Sequence, residues 1–145
     1  MNNMQHYSTL ISIAESDSDD LQTQVGCVIT DDVGRVLVTS ANKFTAGVTA
    51  TVDNTARPEK YDWIEHAERN AIYSAAKKGV SLLDATMYLA VFPCVECARA
   101  IAQTGISKLY TGSIAGWDEE RYKFNKSRTI LASAGVELIE GWRPE

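Results

Sequence analysis

Two short segments carry the residue types best suited to chemistry: His66-Ala67-Glu68, and Pro93-Cys94-Val95-Glu96-Cys97. One imidazole and two thiolates are soft or borderline ligands. Together they form a set for zinc that leaves one coordination position to water, and an open position points to catalysis where a closed one points to a structural knot. Closing the set would take a fourth ligand, for which only His6 and Cys27 remain. Cys27 lies in the apolar run Val25 to Ile29, where a free cysteine reads as a small buried hydrophobe, and His6 is given no role. Two thiolates and a neutral imidazole leave such a centre formally neutral, so the metal can lower the pKa of water toward neutrality. A base must then accept the proton, and Glu68, two residues from His66, is the candidate. Glu96, between the cysteines, reads instead as a first-turn acid favoured by the helix dipole.

The elements around these segments follow from pattern. Apolar residues at Met4, Tyr7, Leu10, Ile11 and Ala14 suit one face of a first helix, which the acidic run Glu15 to Asp20 interrupts. Gln24 to Thr30 and Arg35 to Thr39 read as a β-hairpin around a turn at 31–34. Ala41 to Asp62 has no pattern, and loops longer than about fifteen residues in a compact fold are usually functional. Ala67 to Lys78 is rich in helix formers and ends at Gly79. Ala85 to Phe92 reads as a buried strand ended by Pro93, and a third helix runs from about Cys94 to Gln103. Cys94 and Cys97 then share one face of its first turn, where the helix dipole favours thiolate. Lys108 to Thr111 is a short strand, Glu119 to Ala134 a fourth helix, and Val136 to Glu140 a last strand. Strands alternating with helices predict a mixed sheet covered on both faces, with a right-handed parallel crossover near the end.

The chain has 145 residues and a formal net charge of −5. That length suits one domain spanning 1–145, with no need of a metal merely to fold. No window has the apolar length to span a bilayer, and the N-terminus lacks a signal-peptide pattern. Three cysteines, an odd number, argue against a disulfide framework and for a cytoplasmic protein. An acidic balance without a basic cluster favours a small-molecule substrate over a polynucleotide, and no membrane partner is expected.

His-x-Glu with Pro-Cys-x-x-Cys is a known signature of zinc nucleobase deaminases. With Gln24-Val-Gly-Cys-Val-Ile29, His66-Ala-Glu-Arg-Asn-Ala-Ile72, Ala85-Thr-Met-Tyr-Leu89, Phe92-Pro-Cys-Val-Glu-Cys97 and Gly105-Ile106, the chain resembles the cytidine and deoxycytidylate deaminase superfamily. Asn70 brings it nearest to the deoxycytidylate (dCMP) deaminase group. The resemblance implies a three-layer α/β/α cytidine deaminase-like fold with a five-stranded mixed sheet, one Zn2+ per chain, and hydrolytic deamination of dCMP or a 5-substituted dCMP. It also implies a homo-oligomer, dimer or hexamer, whose active sites are often completed by neighbouring subunits. Ser40 to Val48 stands where the family carries G-Y-N-G-x-P. Asn42 keeps the asparagine that contacts the substrate sugar; Ala41, Lys43 and Thr45 replace the tyrosine, glycine and proline. This segment answers to dCTP and dTTP in several members, and these departures leave that regulation open here.

Ala67 and Asn70 join Asn42 as expected substrate contacts. Phe44 and Trp117, with Trp63 and Tyr122 as alternatives, are candidates to stack on a base, and Arg57 and Lys60 to meet a phosphate. Other readings stay open: a deaminase of a free base or nucleoside such as cytosine, cytidine or guanine, a tRNA adenosine deaminase, and a catalytically silent zinc-binding module, against which Glu68 argues.

Overall fold

The computed structural model describes residues 3–20 and 22–142, with side chains from Gln5 onward, so the apolar position expected at Met4 lies outside the described side chains. The first helix, α1 (Asn3–Asp17), buries His6, Leu10 and Ala14, with Tyr7 and Ile11 half-buried. It does not stop at Glu15 as the sequence predicts. The acidic residues occupy its exposed last turn, where they cost no core contact, and the chain leaves the helix only at Ser18.

The hairpin forms as expected. Strands β1 (Gly26–Thr30) and β2 (Val36–Ala41) pair antiparallel. Asp31 builds the turn by accepting the backbone N–H groups of Val33 and Arg35, and Gly34 takes the positive φ of 90° that the turn requires. β1 is buried at every position. Gly26 is required because α1 crosses it closely: a Cβ there would stand 2.1 Å from the Leu10 carbonyl oxygen.

The stretch 41–62 is less featureless than its sequence. It contains β3 (Lys43–Phe44), α2 (Val52–Thr55) and most of α3 (Lys60–Trp63), and β3 pairs with β4 (Ile64–Glu65) in a two-stranded sheet. Thr51 and Asn54 cap α2 reciprocally. Elements of two to four residues leave no periodicity to read.

Beyond it, α4 (Ala67–Lys78) ends at Gly79 in the left-handed conformation, as expected. Strand β5 (Thr86–Leu89) is antiparallel to β1, and then come α5 (Val95–Ala102) and β6 (Lys108–Tyr110). The fourth helix divides into α6 (Glu119–Tyr122) and α7 (Phe124–Ser133) at Lys123, whose φ of 57° is left-handed. Glu119 stabilises the break by accepting the backbone N–H groups of Phe124 and Asn125. No glycine or proline announces it. Strand β7 (Glu137–Ile139) completes a five-stranded sheet of order β2-β1-β5-β6-β7, antiparallel across its first three strands and parallel across its last three.

The alternation of side chains along the strands divides the core in two. Cys27, Ile29, Met87, Leu89 and Leu109 face one way, against Ala71 and Ala75 of α4, Ile101 of α5 and Leu131 of α7. Val28 and Tyr88 face the other way, under Leu10 of α1. These are the three layers the resemblance implies. No described helix is long and apolar enough to cross a membrane.

Candidate metal centre and its pocket

The two chemical segments meet at the starts of α4 and α5. His66 is the N-cap residue of α4, and Cys94 is the N-cap of α5, one position outside the helical turn expected to hold it. Pro93 fixes the approach, and Cys97 lies in the first turn. His66 presents Nδ1 to both sulfurs, at 3.6 Å from Cys94 Sγ and 3.3 Å from Cys97 Sγ. The three ligand atoms lie within 4.8 Å of one another, a group able to hold a metal ion. The donors, one nitrogen and two sulfurs facing a pocket, fit zinc with an open position. Cys27 is fully buried in the core and outside this group, as a packing residue would be.

The three ligand side chains share protons and burial unequally. The hydrogen bond with Cys97, and then that with His66, outweigh burial and pull the Cys94 thiol down to about 4. Sharing a proton with Cys94, together with burial, pushes the Cys97 thiol far up. Burial works to lower the His66 pKa, but the bond to Cys94 and the charge of Glu68 outweigh it and raise it. Glu68 is 3% exposed. Burial holds its carboxyl above the usual carboxylate range, against the pull of His66. Arg69 ties the two helix starts together, with Nε 2.6 Å from Glu65 and a terminal nitrogen 2.7 Å from Glu96. Glu96, expected to answer only to the helix dipole, therefore has a partner on α4.

A pocket opens from the metal group. His66, Ala67, Glu68 and Cys94 line its base, and Phe92, Phe124, Tyr122, Trp117 and Tyr61 form aromatic walls. Residues two apart on a helix point to nearly opposite sides. The left-handed Lys123 removes that constraint, and Tyr122 and Phe124 both line the pocket, their rings stacked at 5.6 Å. Asn42, Asp20, Lys60 and Arg57 add polar lining.

Of the expected substrate contacts, Asn42, Ala67, Trp117 and Arg57 line the pocket, whereas Phe44 and Asn70 are not in its lining. The Asn70 amide donates to the Ala41 carbonyl at 3.0 Å, fastening α4 to the end of β2. Phe44 sits on the small β3-β4 sheet, its backbone N–H donating to Asp19. The Asn42 side chain is already engaged: its oxygen accepts from Val25 N–H and from the Ser18 hydroxyl, and its nitrogen donates to the Thr23 carbonyl at 2.7 Å. Trp63 donates to Glu59 and does not line the pocket.

Lys60, considered for a phosphate, is 2% exposed, with Nζ 2.9 Å from Asp20 and 3.0 Å from Gln22. Sequence reading misses this pair because forty positions separate its members. Burial alone would raise the Asp20 carboxyl, but the Lys60 ammonium and the N–H groups of Gln22 and Thr23 outweigh it and hold it below its ordinary value of 3.8. A depressed folded-state pKa contributes stability in full above the ordinary value, and this is lost as pH falls through the folded one. Lys60→Met leaves a buried carboxylate unpaired and should cost roughly 3–5 kcal/mol. Urea denaturation at pH 7 and pH 3 checks this: the gap between wild type and variant should shrink in acid, and a gap independent of pH refutes the assignment.

The fold and site have counterparts. The family model described as the cytidine and deoxycytidylate deaminase zinc-binding region matches residues 1–113. An uncharacterized deaminase from the luxG 3' region of Aliivibrio fischeri is 36% identical over 132 residues, covering 88% of this chain and 84% of that protein. The deoxycytidylate deaminase of Enterobacteria phage T2 is 45% identical over 79 residues, 51% of this chain but only 37% of the phage protein. The crystal structure of the dCMP deaminase from cyanophage S-TIM5, in complex with dCMP and dUMP, superposes with a TM-score of 0.74 at 23% identity, covering 94% of this chain and 93% of that one. At that identity it speaks for the fold. The ligand group at the mouths of α4 and α5, on a five-stranded sheet of this order, thus has its explanation: the chain belongs to the cytidine and deoxycytidylate deaminase family of zinc-dependent hydrolytic deaminases.

Proposed function

We propose that the protein hydrolyses the exocyclic amine of dCMP, or of a 5-substituted dCMP, giving dUMP or its analogue and ammonia. The observation that carries this reading is the buried Glu68 carboxyl beside the His66, Cys94 and Cys97 group, at the base of a pocket with aromatic walls and an arginine in its lining. The name of the phage T2 relative supports the choice of base and of nucleotide.

Zinc held by the three ligands would supply the Lewis acidity that brings the ionisation of water toward neutral pH. Glu68 takes the proton released as that water adds to C4 of the base and delivers it to the adjacent ring nitrogen. As the C4–N bond breaks, Glu68 passes the water's second proton to the departing amine, so that water and an amino-pyrimidine become ammonia and a keto-pyrimidine. Its raised pKa suits a group that must both hold and release protons. Phe92, Phe124, Tyr122 and Trp117 exclude water and offer faces for the planar base. Asn42, braced by Ser18, Thr23 and Val25, fixes the wall where the sugar would lie. The same reading takes 1–145 as one cytoplasmic domain that self-associates as a dimer or hexamer.

An ammonia-release assay across cytosine, cytidine, deoxycytidine, dCMP, 5-methyl-dCMP and guanine tests the substrate. Turnover should be greatest with a deoxycytidylate, and equal efficiency on the nucleoside would remove the nucleotide reading.

A further inference from the structure

Among the described non-glycine residues, two take a positive φ: Asp84 at 61° and Lys123 at 57°. Asp84 lies in the loop before β5 and is of a type that tolerates this conformation. Lysine is not. The Lys123 side chain is exposed and takes no part in lining the metal pocket, so what the position contributes is its backbone. An unfavourable conformation persists only where its surroundings impose it, and such positions gather at functional sites.

The surroundings of Lys123 do impose it. The residue is at once the C-cap of α6 and the N-cap of α7. Its N–H donates to the Glu119 carbonyl at 2.7 Å, and its own carbonyl accepts the Ser127 N–H at 3.1 Å. The Glu119 carboxylate reaches across the break to the N–H groups of Phe124 at 3.1 Å and Asn125 at 3.0 Å. Phe124 is 1% exposed and meets Phe92 edge-on at 5.4 Å. In an unbroken helix Tyr122 would point nearly opposite to Phe124. With the break, the two rings are stacked at an interplanar angle of 21°, and Trp117 meets Tyr122 edge-on at 5.7 Å. Phe92, Phe124, Tyr122 and Trp117 thus form a continuous row of rings along the pocket, from the buried Phe92 to the exposed Trp117.

We propose that the helix break at Lys123, pinned by Glu119, positions Tyr122 as a wall against the planar base and so sets the affinity for substrate. This rests on the reading that a pyrimidine occupies the pocket. Lys123 and Glu119 are positioning residues that act through Tyr122, and neither lines the metal pocket. A ring held in place before the base arrives gives up little freedom on binding, so more of the contact appears as affinity. The metal group and Glu68 sit at the starts of α4 and α5. The break therefore governs binding and leaves proton transfer to Glu68.

The test measures kcat and KM on dCMP, the Kd of dUMP by calorimetry, and zinc content. It compares wild type with K123G, K123V, E119A, Y122A and the double variant Y122A/K123V. Glycine takes the left-handed conformation freely, so K123G should hold KM and Kd within about twofold of wild type. Valine is β-branched and resists it. K123V should raise both values by roughly 5–100-fold, the range of a lost stacking contact, with kcat and zinc content near wild type. Y122A should do the same, and the double variant should lose no more than either single one, because valine acts only by displacing the ring. E119A should raise KM and Kd in the same direction. Additive losses in the double variant, or a K123V that binds as K123G does, overturn the proposal while the dCMP reading survives. Should K123V not fold, an E119A that keeps the wild-type KM and Kd overturns it instead. If wild type neither deaminates dCMP nor binds dUMP, the substrate reading falls and takes the proposal with it.

Discussion

Glu68→Gln should lower kcat by on the order of 10³-fold or more while the zinc content and the KM for substrate stay near wild type. The magnitude is that of a general acid–base group acting in several proton transfers, each transfer contributing on the order of 10²–10⁴ in rate. Glutamine has the volume and hydrogen-bonding outline of the carboxyl but can neither take the water's proton nor give one to the leaving amine. Damage to the fold would act in the other direction on stability. The Glu68 carboxyl is 3% exposed and its pKa is raised by burial. A carboxyl whose folded-state pKa exceeds its unfolded one loses stability as pH rises between the two values, and above both it carries the full penalty of a buried charge. In the zinc-free protein the glutamine variant avoids that penalty, so with zinc removed from both its melting temperature at pH 7 should equal or exceed that of wild type. Inactivity with stability and zinc intact isolates proton transfer as the loss. Retained turnover would remove Glu68 from the mechanism, and lost zinc would make it a metal-site residue.

The parts of this site that could be read from sequence are those whose physics is local. His66 and Glu68 flank one helix start, Cys94 and Cys97 another, and their types and spacing state a ligand set without knowledge of the fold. The α4 helix announces itself through alanines and Gly79, and the hairpin through β-branched residues around a turn that Asp31 and Gly34 can build. The pocket walls are another matter. Tyr122 and Phe124 share a wall because Lys123 adopts a left-handed conformation, which lysine seldom does and which no neighbouring glycine or proline signals. The Asp20–Lys60 pair and the stacking of Arg121 on Tyr61 join residues forty and sixty positions apart. Such contacts are products of tertiary packing. The same limit explains Phe44 and Asn70: each has a suitable side chain, but β3 and the inner side of α4 carry them to structural partners.

Removing zinc with a chelator, or substituting Cys97→Ser, should bring turnover to background and yet leave the chain folded. The reason is that the fold does not depend on the ligand group for its core. Leu10, Val28 and Tyr88 are buried on one face of the sheet, and Ile29, Met87, Leu89, Ile101, Leu109 and Leu131 on the other, without reference to a metal. A fully buried large apolar side chain contributes about 1.5–3 kcal/mol, so these two clusters can hold the sheet when the ion is absent. Zinc binding would then add only the stabilisation due to ligation, so the melting temperature should fall on chelation while the far-ultraviolet circular dichroism is retained and the transition stays cooperative. Cys97→Ser should mimic chelation, because a serine hydroxyl stays protonated where a thiol can ionise, and two remaining ligands hold zinc weakly. Added zinc should restore the chelated wild type but not the serine variant, as measured by metal content and ammonia release together. The opposite pattern, a chain that unfolds on chelation, identifies a structural zinc knot; a metal-free chain that still releases ammonia would leave His66, Cys94 and Cys97 with no part in the reaction.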